Sequence, residues 1–259
     1  MQVPRCLTIA GSDSGGGAGI QGDLKAFAAA GCYGMSAIVA LTAQNTVGVS
    51  AVHELPPEFI EAQLEAVFSD IGVDAAKTGM LFSRPIIETV AAYLTRHPVP
   101  LVVDPVMIAT SGARLLRKDA IKALVGRLLP LATVVTPNLD EAIVLAGEPG
   151  PRRVLAERIC ALGAPAVIVT GGHGEKAVDH LFDGTEHIEI AVPRHPKLAT
   201  HGAGCTHSAT LAALLAKGLS LREAAEGAAR IASQAVANGL EWLGSGEGPV
   251  DVLGLETTR

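Results

Sequence analysis

Most of six short runs in the chain are apolar on both alternate sets of positions: RCLTIAG from Arg5, SAIVALTA from Ser36, DAAKTGM from Asp74, PLVVDPVM from Pro100, TVVTPN from Thr133 and AVIVTGG from Ala166. A strand with one wet face alternates apolar and polar residues. Runs apolar on both sets predict strands covered from both sides. Between them lie helical stretches such as GDLKAFAAAG, PEFIEAQLEAVFSDIG and RPIIETVAAYLTRH. In the second, Phe59, Ile60, Leu64, Val67, Phe68 and Ile71 recur at three- and four-residue steps and predict one buried face. This alternation predicts an α/β fold, a mainly parallel sheet between layers of helices. The rhythm then changes. VDHLFDGTEHIEIAV reads as a β-hairpin turning at Asp183–Gly184, and two helices follow, from about Thr206 to Lys217 and from about Leu221 to Asn238. No linker or low-complexity segment interrupts the chain, so one domain over 1–259 is expected. The loop MIATSGARLL from Met107 is the expected mobile flap.

Composition narrows the function. Hydrophobic residues make up 49% of the 259, enough for a large core. A net charge of −6 argues against a nucleic-acid surface, which needs a basic face. The cysteines Cys6, Cys32, Cys160 and Cys205 form no CxxC pair, so neither a disulfide framework nor a zinc site is expected. No apolar run approaches the roughly 20 residues that span a bilayer, and the N-terminal apolar run is too short for a signal peptide. The expectation is a cytoplasmic protein with no membrane partner.

Ligands of an open parallel sheet sit at the carboxyl ends of its strands. Here those ends carry Ser12–Asp13–Ser14–Gly15, Gln44–Asn45, Gly79–Met80, Asp104–Pro105, Pro137–Asn138 and Gly171–Gly172. Turn chemistry explains the glycines and prolines, and explains Gln44, Asp104 and Asn138 less well. GSDSGGGAGIQGD from Gly11 contains Gly17-x-Gly19-x-x-Gly22, but no acidic residue ends the second strand, as a nicotinamide site requires, and no Gly-Lys-Ser/Thr follows. It reads as a glycine loop that brings a small ligand to the backbone. Asp23 then either complements the dipole of the helix it enters or serves the ligand.

In TPNLDEA from Thr136, Asn138 and Glu141 stand three apart at a strand-to-helix junction. An amide oxygen and a carboxylate suit magnesium held through water and phosphates, with Asp104 a second acid at the same edge. The same spacing also makes a capping box. In THGAGCTHSA from Thr200, Gly202, Ala203 and Gly204 precede Cys205 at a helix start. Free amides there form an anion site able to stabilise a transferring phosphoryl group. The positive helix end lowers a thiol pKa, so Cys205 could take a proton from a substrate hydroxyl. Alternatively, it is a small buried hydrophobe. His201 and His207 are assigned no chemistry.

Taken together, GSDSGGGAGIQGDLKAF, ALTAQNT, KTGML, DPVM, TPN..EA and HGAGCT.SA resemble, in matching order over nearly the whole chain, the bacterial hydroxymethylpyrimidine/phosphomethylpyrimidine kinases of the ribokinase-like superfamily. The resemblance implies a three-layer α/β/α sandwich, ATP as co-substrate with Mg2+, and two successive phosphorylations of a small aminopyrimidine in thiamine biosynthesis. It implies that Gln44 binds the aminopyrimidine edge, an amide matching an amino group beside a ring nitrogen. Gly11, Asp23, Met80 and Val106 would be further pocket residues. Gly202, Ala203 and Gly204 would form the anion hole, Cys205 the catalytic base, and Asp104, Asn138 and Glu141 the magnesium and phosphate apparatus. ATP would lie along Thr170, Gly171 and Gly172. Some members carry a lysine where this chain has Thr170, and either the Thr170 hydroxyl or Lys176 would take its place. The superfamily also implies a homodimer. A related group of pyridoxal kinases shares the HGAGC-like loop, which leaves vitamin B6 as an alternative substrate. A non-catalytic pyrimidine sensor is the alternative outside enzymology.

Overall fold

The computed structural model describes residues 2–109, 112–113, 115–171, 178–196 and 199–255. Among them one sheet runs through the molecule. Its strands are β1 (Arg5–Asp13), β2 (Tyr33–Gln44), β3 (Val49–Glu54), β4 (Ala75–Thr78), β5 (Leu101–Val103), β6 (Val134–Val135), β7 (Val167–Val169), β8 (Val178–Phe182) and β9 (His187–Ala191), in the order β3-β2-β1-β4-β5-β6-β7-β8-β9. From β2 to β7 every pairing is parallel, while β3, β8 and β9 add antiparallel edges. The helices are α1 (Gly19–Ala29), α2 (Pro57–Ala66), α3 (Arg84–Arg96), α4 (Ile121–Ala123), α5 (Leu139–Ala146), α6 (Arg152–Ala161), α7 (Ala203–Ala216) and α8 (Leu221–Ala237). None of the described helices is long and apolar enough to cross a membrane.

Why most of the six runs are apolar on both sets of positions is now visible. In β5, Leu101 and Val103 face one core and Val102 the other; in β7, Val167 and Val169 oppose Ile168 in the same way. The first core lies under α2, α3, α5 and α6, with Ile60, Leu64, Ile87, Val90, Leu155 and Ile159 among its residues. The second lies under α1, α7 and α8 and is built largely of alanines, such as Ala209, Ala212, Ala225 and Ala228, which let α7 and α8 approach closely. The late hairpin turns where expected. Gly184 has φ 91°, and the Asp183 carboxylate accepts the N–H groups of Thr185 and Glu186.

Three expectations need correction. The strand β3 was not predicted, because its burial is too partial to leave an apolar signature. On α2 only Ile60 and Leu64 are buried, with Val67 and Phe68 packed beside them, while Phe59 and Ile71 are exposed. A π-helical turn at Val67–Ile71, closed by Gly72 N–H to the Val67 carbonyl, inserts one extra residue and rotates Ile71 off the buried face. Both helices at the glycine loops begin earlier than expected, α1 at Gly19 and α7 at Ala203. Of the expected flap, residues 110, 111 and 114 lie outside the described residues, and Met107, Leu115 and Leu116 are buried.

Candidate active site

The chain leaves β1 toward β2 on one side and returns to β4 on the other, so the sheet has its switch point between β1 and β4. A cavity of about 480 Å³ opens there, at the carboxyl ends of the strands. The Gly11 N–H donates to the Met80 carbonyl (3.2 Å), and a Cβ at position 11 would run into the Met80 Sδ–Cε end. Glycine at this point lets the methionine lie flat along the cavity wall. Val106 lines the same wall.

Gln44 ends β2 at the cavity mouth. Its Oε1 lies 3.1 Å from the Thr42 hydroxyl, which is also 2.9 Å from the Ser12 carbonyl oxygen. The Ser14 hydroxyl accepts the Gln44 N–H at 2.8 Å. The amide is therefore oriented from one side, with its Nε2 donors free of protein partners among the described residues.

Across the cavity stands the start of α7. Gly202 caps it in the left-handed region (φ 84°), and a Cβ there would lie 2.9 Å from the Gly17 carbonyl carbon and closer still to its oxygen. The two glycine loops thus touch backbone to backbone. The cap has no side chain to satisfy the first turn, and the Ala203 N–H is taken by the Thr200 carbonyl (3.0 Å). The Gly204 and Cys205 N–H groups are left at the positive end of the helix, where an anion is favoured.

Asp13 joins the loops. Its Oδ1 accepts the Gly15 N–H (2.8 Å), and its Oδ2 accepts those of Gly17 (3.1 Å) and Ala18 (2.9 Å). The His201 Nε2 lies 2.9 Å from the same Oδ2, on the anion-loop side. Burial works to raise this carboxyl, but His201 and the amides outweigh it and hold it below its ordinary value. His201, to which no chemistry was assigned, therefore lines the cavity as part of a clasp. Its partner across 188 positions was not legible.

At the cavity floor is a charge cluster whose lysine the sequence reading missed. Lys77, in β4, is fully buried and ion-paired with Asp23 (2.9 and 3.0 Å), and its Nζ is 3.8 Å from Asp104 Oδ2. The Thr8 hydroxyl donates to Asp23 at 2.6 Å. Asp23 was expected either as a dipole partner or in the pocket. Instead it sits in the second turn of α1, fully buried, outside the cavity lining. It braces Lys77 from below. The signal for Lys77 was available: a lysine inside an apolar strand must find an anion.

Cys205 occupies the first turn of α7 and faces the cavity. The expectation of a lowered thiol pKa fails. Burial pushes it up to about 12, opposed by Lys77 and by the Gly19 N–H, while Asp23 and Asp104 add to the rise. Desolvation, the largest effect, outweighs the helix end here, and the two carboxylates add to it.

At the third side, Asn138 and Glu141 form a complete capping box. The Asn138 amide oxygen accepts the Glu141 N–H, and Glu141 Oε2 accepts the Asn138 N–H. The Asn138 oxygen thereby makes the capping box that the same spacing allows, and an amide oxygen has a second lone pair for a water-held metal. Glu141 Oε1 accepts the Met107 N–H at 3.2 Å. Burial, with Asp104 nearby, raises the Glu141 carboxyl to about 8. Asp104 in turn accepts the Ser208 hydroxyl (2.8 Å). Among the described residues no three His, Cys, Asp or Glu side chains converge on a metal position. Glu141, whose carboxyl the nearby Asp104 helps to raise, and Asp104 itself do fit a magnesium ion completed by water and phosphates, the usual arrangement for this ion.

Thr170 and Gly171 line the remaining end. The Gly171 N–H is given to Asp179 (2.6 Å), so it is not a free phosphate donor. Asp179 also lies 3.2 Å from His207 Nε2. Gly172 and Lys176 lie outside the described residues.

A family model described as phosphomethylpyrimidine kinase matches residues 13–251. The chain is 51% identical over 253 residues to the hydroxymethylpyrimidine/phosphomethylpyrimidine kinase of Rhizobium meliloti, covering 94% of this chain and 95% of that one. It is 48% identical over 261 residues to a thiamine biosynthesis bifunctional protein of Geobacter sulfurreducens, covering 98% of this chain and 53% of that longer one. Among solved structures it is similar to the Staphylococcus aureus pyridoxal kinase in complex with ADP, with TM-score 0.90, 36% identity, and 100% and 97% of the two chains covered. It is also similar to the phosphomethylpyrimidine kinase of Clostridium difficile 630, with TM-score 0.77, 42% identity, and 87% and 96% covered.

Proposed function

The chain belongs to the phosphomethylpyrimidine kinase family, and on that premise we propose the reaction and the residues that carry it. The γ-phosphoryl group of ATP passes first to the hydroxymethyl oxygen of 4-amino-5-hydroxymethyl-2-methylpyrimidine, then from a second ATP to the monophosphate, giving the diphosphate used in thiamine biosynthesis. The observation that carries this reading is the opposition of Gln44 to the α7 start across one cavity.

A pre-oriented Gln44 amide offers donors to a ring nitrogen and an acceptor to an amino group. Met80 and Val106 supply the apolar walls. The hydroxymethyl group then points to Cys205, which, once its own proton has left to water, receives the hydroxyl proton as a thiolate, while the Gly204 and Cys205 N–H groups face the charge on the moving phosphoryl group. Magnesium would be held by Asp104 and Glu141 together with water and phosphates, and when bound it would draw negative charge off the phosphate oxygens. Thr170 would border the nucleotide. The homodimer implied by the superfamily belongs to the same proposal and is read by light scattering.

Pyridoxal is the second reading, supported by the similarity to the Staphylococcus aureus pyridoxal kinase. A coupled ADP assay with the pyrimidine alcohol, its monophosphate and pyridoxal tests both. Turnover of the two pyrimidines above pyridoxal is expected; turnover of pyridoxal alone overturns the main reading, and binding without ADP production revives the sensor. Cys205→Ala is expected to bind both substrates by calorimetry yet lose about 10²–10⁴ in kcat. Wild-type turnover in that variant removes Cys205 from the chemistry.

A further inference from the structure

His207 is a buried polar side chain that the reaction just described does not use. It lies on α7 two residues past Cys205. At 3.6 residues per turn that is a rotation of about 200°, so the two side chains leave the helix start on opposite sides. His207 lines the same cavity as Cys205, and on its own side it meets Asp179.

The strands complete that compartment. Val134, Ile168 and Leu181 face the core under α7. Side chains alternate along a strand, so Thr136, Thr170 and Asp179, each two positions from one of these, turn to the same face. All three line the cavity. β6, β7 and β8 are neighbours in the sheet, and the Thr170 N–H donates to the Pro137 carbonyl at 2.9 Å. Asp179 Oδ1 accepts the Gly171 N–H at 2.6 Å. Its Oδ2 lies 3.2 Å from His207 Nε2, within ion-pair reach but off the line of a hydrogen bond.

Two of these four side chains carry buried atoms that no protein group satisfies. The His207 side chain is 6% exposed, and neither ring nitrogen has a hydrogen-bond partner among the described residues; nor has the Thr136 hydroxyl. Buried polar atoms are costly to leave unpaired. Here both residues border the cavity, so the missing partner is a ligand.

The geometry of phosphoryl transfer says which ligand. Attacking and leaving oxygens lie roughly in line on opposite sides of Pγ. With the substrate oxygen on the Cys205 side of the helix start, the remaining phosphates of ATP depart on the other side, where His207 stands. We propose that His207, braced by Asp179, binds the phosphate chain of ATP on the leaving-group side of the α7 start, with the Thr136 hydroxyl as a second donor.

The inference rests on the reading of ATP as phosphoryl donor and Cys205 as base. Nε2 is the nitrogen beside Asp179, which leaves Nδ1 for the phosphate. With an anion at each nitrogen the ring gives a proton to each and is a cation. Its charge then lies where ADP gains charge as the substrate oxygen bonds to Pγ and the Pγ–O bond to ADP breaks.

Calorimetric titration of the intact protein with ATP and with adenosine, each with Mg2+, separates the phosphate chain from the nucleoside. A hydrogen bond to a charged group is worth about 10–100-fold in affinity. His207→Leu is expected to weaken ATP by at least about tenfold and to leave adenosine within about twofold. An ATP loss no larger than the adenosine loss, both small or both large, overturns the proposal. Should His207→Leu fail to fold, Asp179→Asn decides, since its amide oxygen still accepts the Gly171 N–H. A carboxylate beside a triphosphate repels it, so removing one with no bracing role should strengthen ATP binding. Weaker ATP binding with adenosine kept supports the brace; equal or stronger ATP binding overturns it. Wild-type protein that binds no ATP overturns the kinase reading together with the proposal, whereas wild-type ATP affinity in the variants overturns the proposal alone.

Discussion

Replacing Gly202 by alanine tests the contact on which the whole anion loop depends. Gly202 sits at φ 84°, a conformation that costs an L-residue about 1–2 kcal/mol. A Cβ there meets the Gly17 carbonyl carbon at 2.9 Å and the Ala18 Cα at 3.5 Å. These neighbours are backbone, so no side-chain rotation relieves the clash, and overpacking of this kind costs a further ~1–3 kcal/mol. The sum is a loss of about 2–5 kcal/mol. At about 2 °C per kcal/mol for a chain of this size, Tm should fall by about 4–10 °C in a calorimetric scan. Separating the loops also moves the Gly204 and Cys205 N–H groups, so kcat should fall at least about tenfold. Gly204→Ala is the control. A Cβ at Gly204 meets nothing within 4 Å, and in a helix alanine gains up to about 1 kcal/mol over glycine, so its Tm should be unchanged or higher. A Gly202→Ala protein melting within about 1 °C of wild type would refute the close approach of the loops.

Gln44→Ala removes the oriented amide and should weaken binding of the pyrimidine alcohol by about 10–100-fold in calorimetry while nucleotide affinity is kept; equal pyrimidine affinity places the substrate elsewhere. The pH dependence of stability should carry the mark of Glu141, raised from 4.5 to about 8 by burial with Asp104 nearby. Between those values the folded chain holds a proton that the unfolded chain has released, so this group's contribution is full below about pH 4.5 and is lost as pH rises toward 8. With a chelator present, the fall in Tm from pH 5 to pH 8 should flatten in Glu141→Gln, and parallel curves for the two proteins would reject the assignment.

Much of the fold is legible in the sequence because burial leaves a period. Runs apolar on both sets of positions, short and bounded by turn residues, read as strands between two layers, and the two cores divide Val102 from Leu101 and Val103 accordingly. The half-exposed β3 leaves no such mark. Nor does the extra residue of the π turn that carries Ile71 out of the face predicted for α2. Of the candidate site, Gly11, Gln44, Met80, Val106, Gly202, Gly204 and Cys205 do share one cavity. Asp23, by contrast, belongs to the layer beneath.

Local chemistry is written in local spacing, so the sequence alone determined the α/β class, the late hairpin and the glycine loops, and offered the capping box of Asn138 and Glu141 as one of two readings. Charges are balanced across the chain rather than along it. Lys77 meets Asp23 over 54 positions and Asp13 meets His201 over 188, contacts that exist only once the sheet order sets β4 beside β1 and packs α7 over both. That packing alone decided the Cys205 thiol, whose helix-end position argues for acidity while its enclosure imposes the reverse.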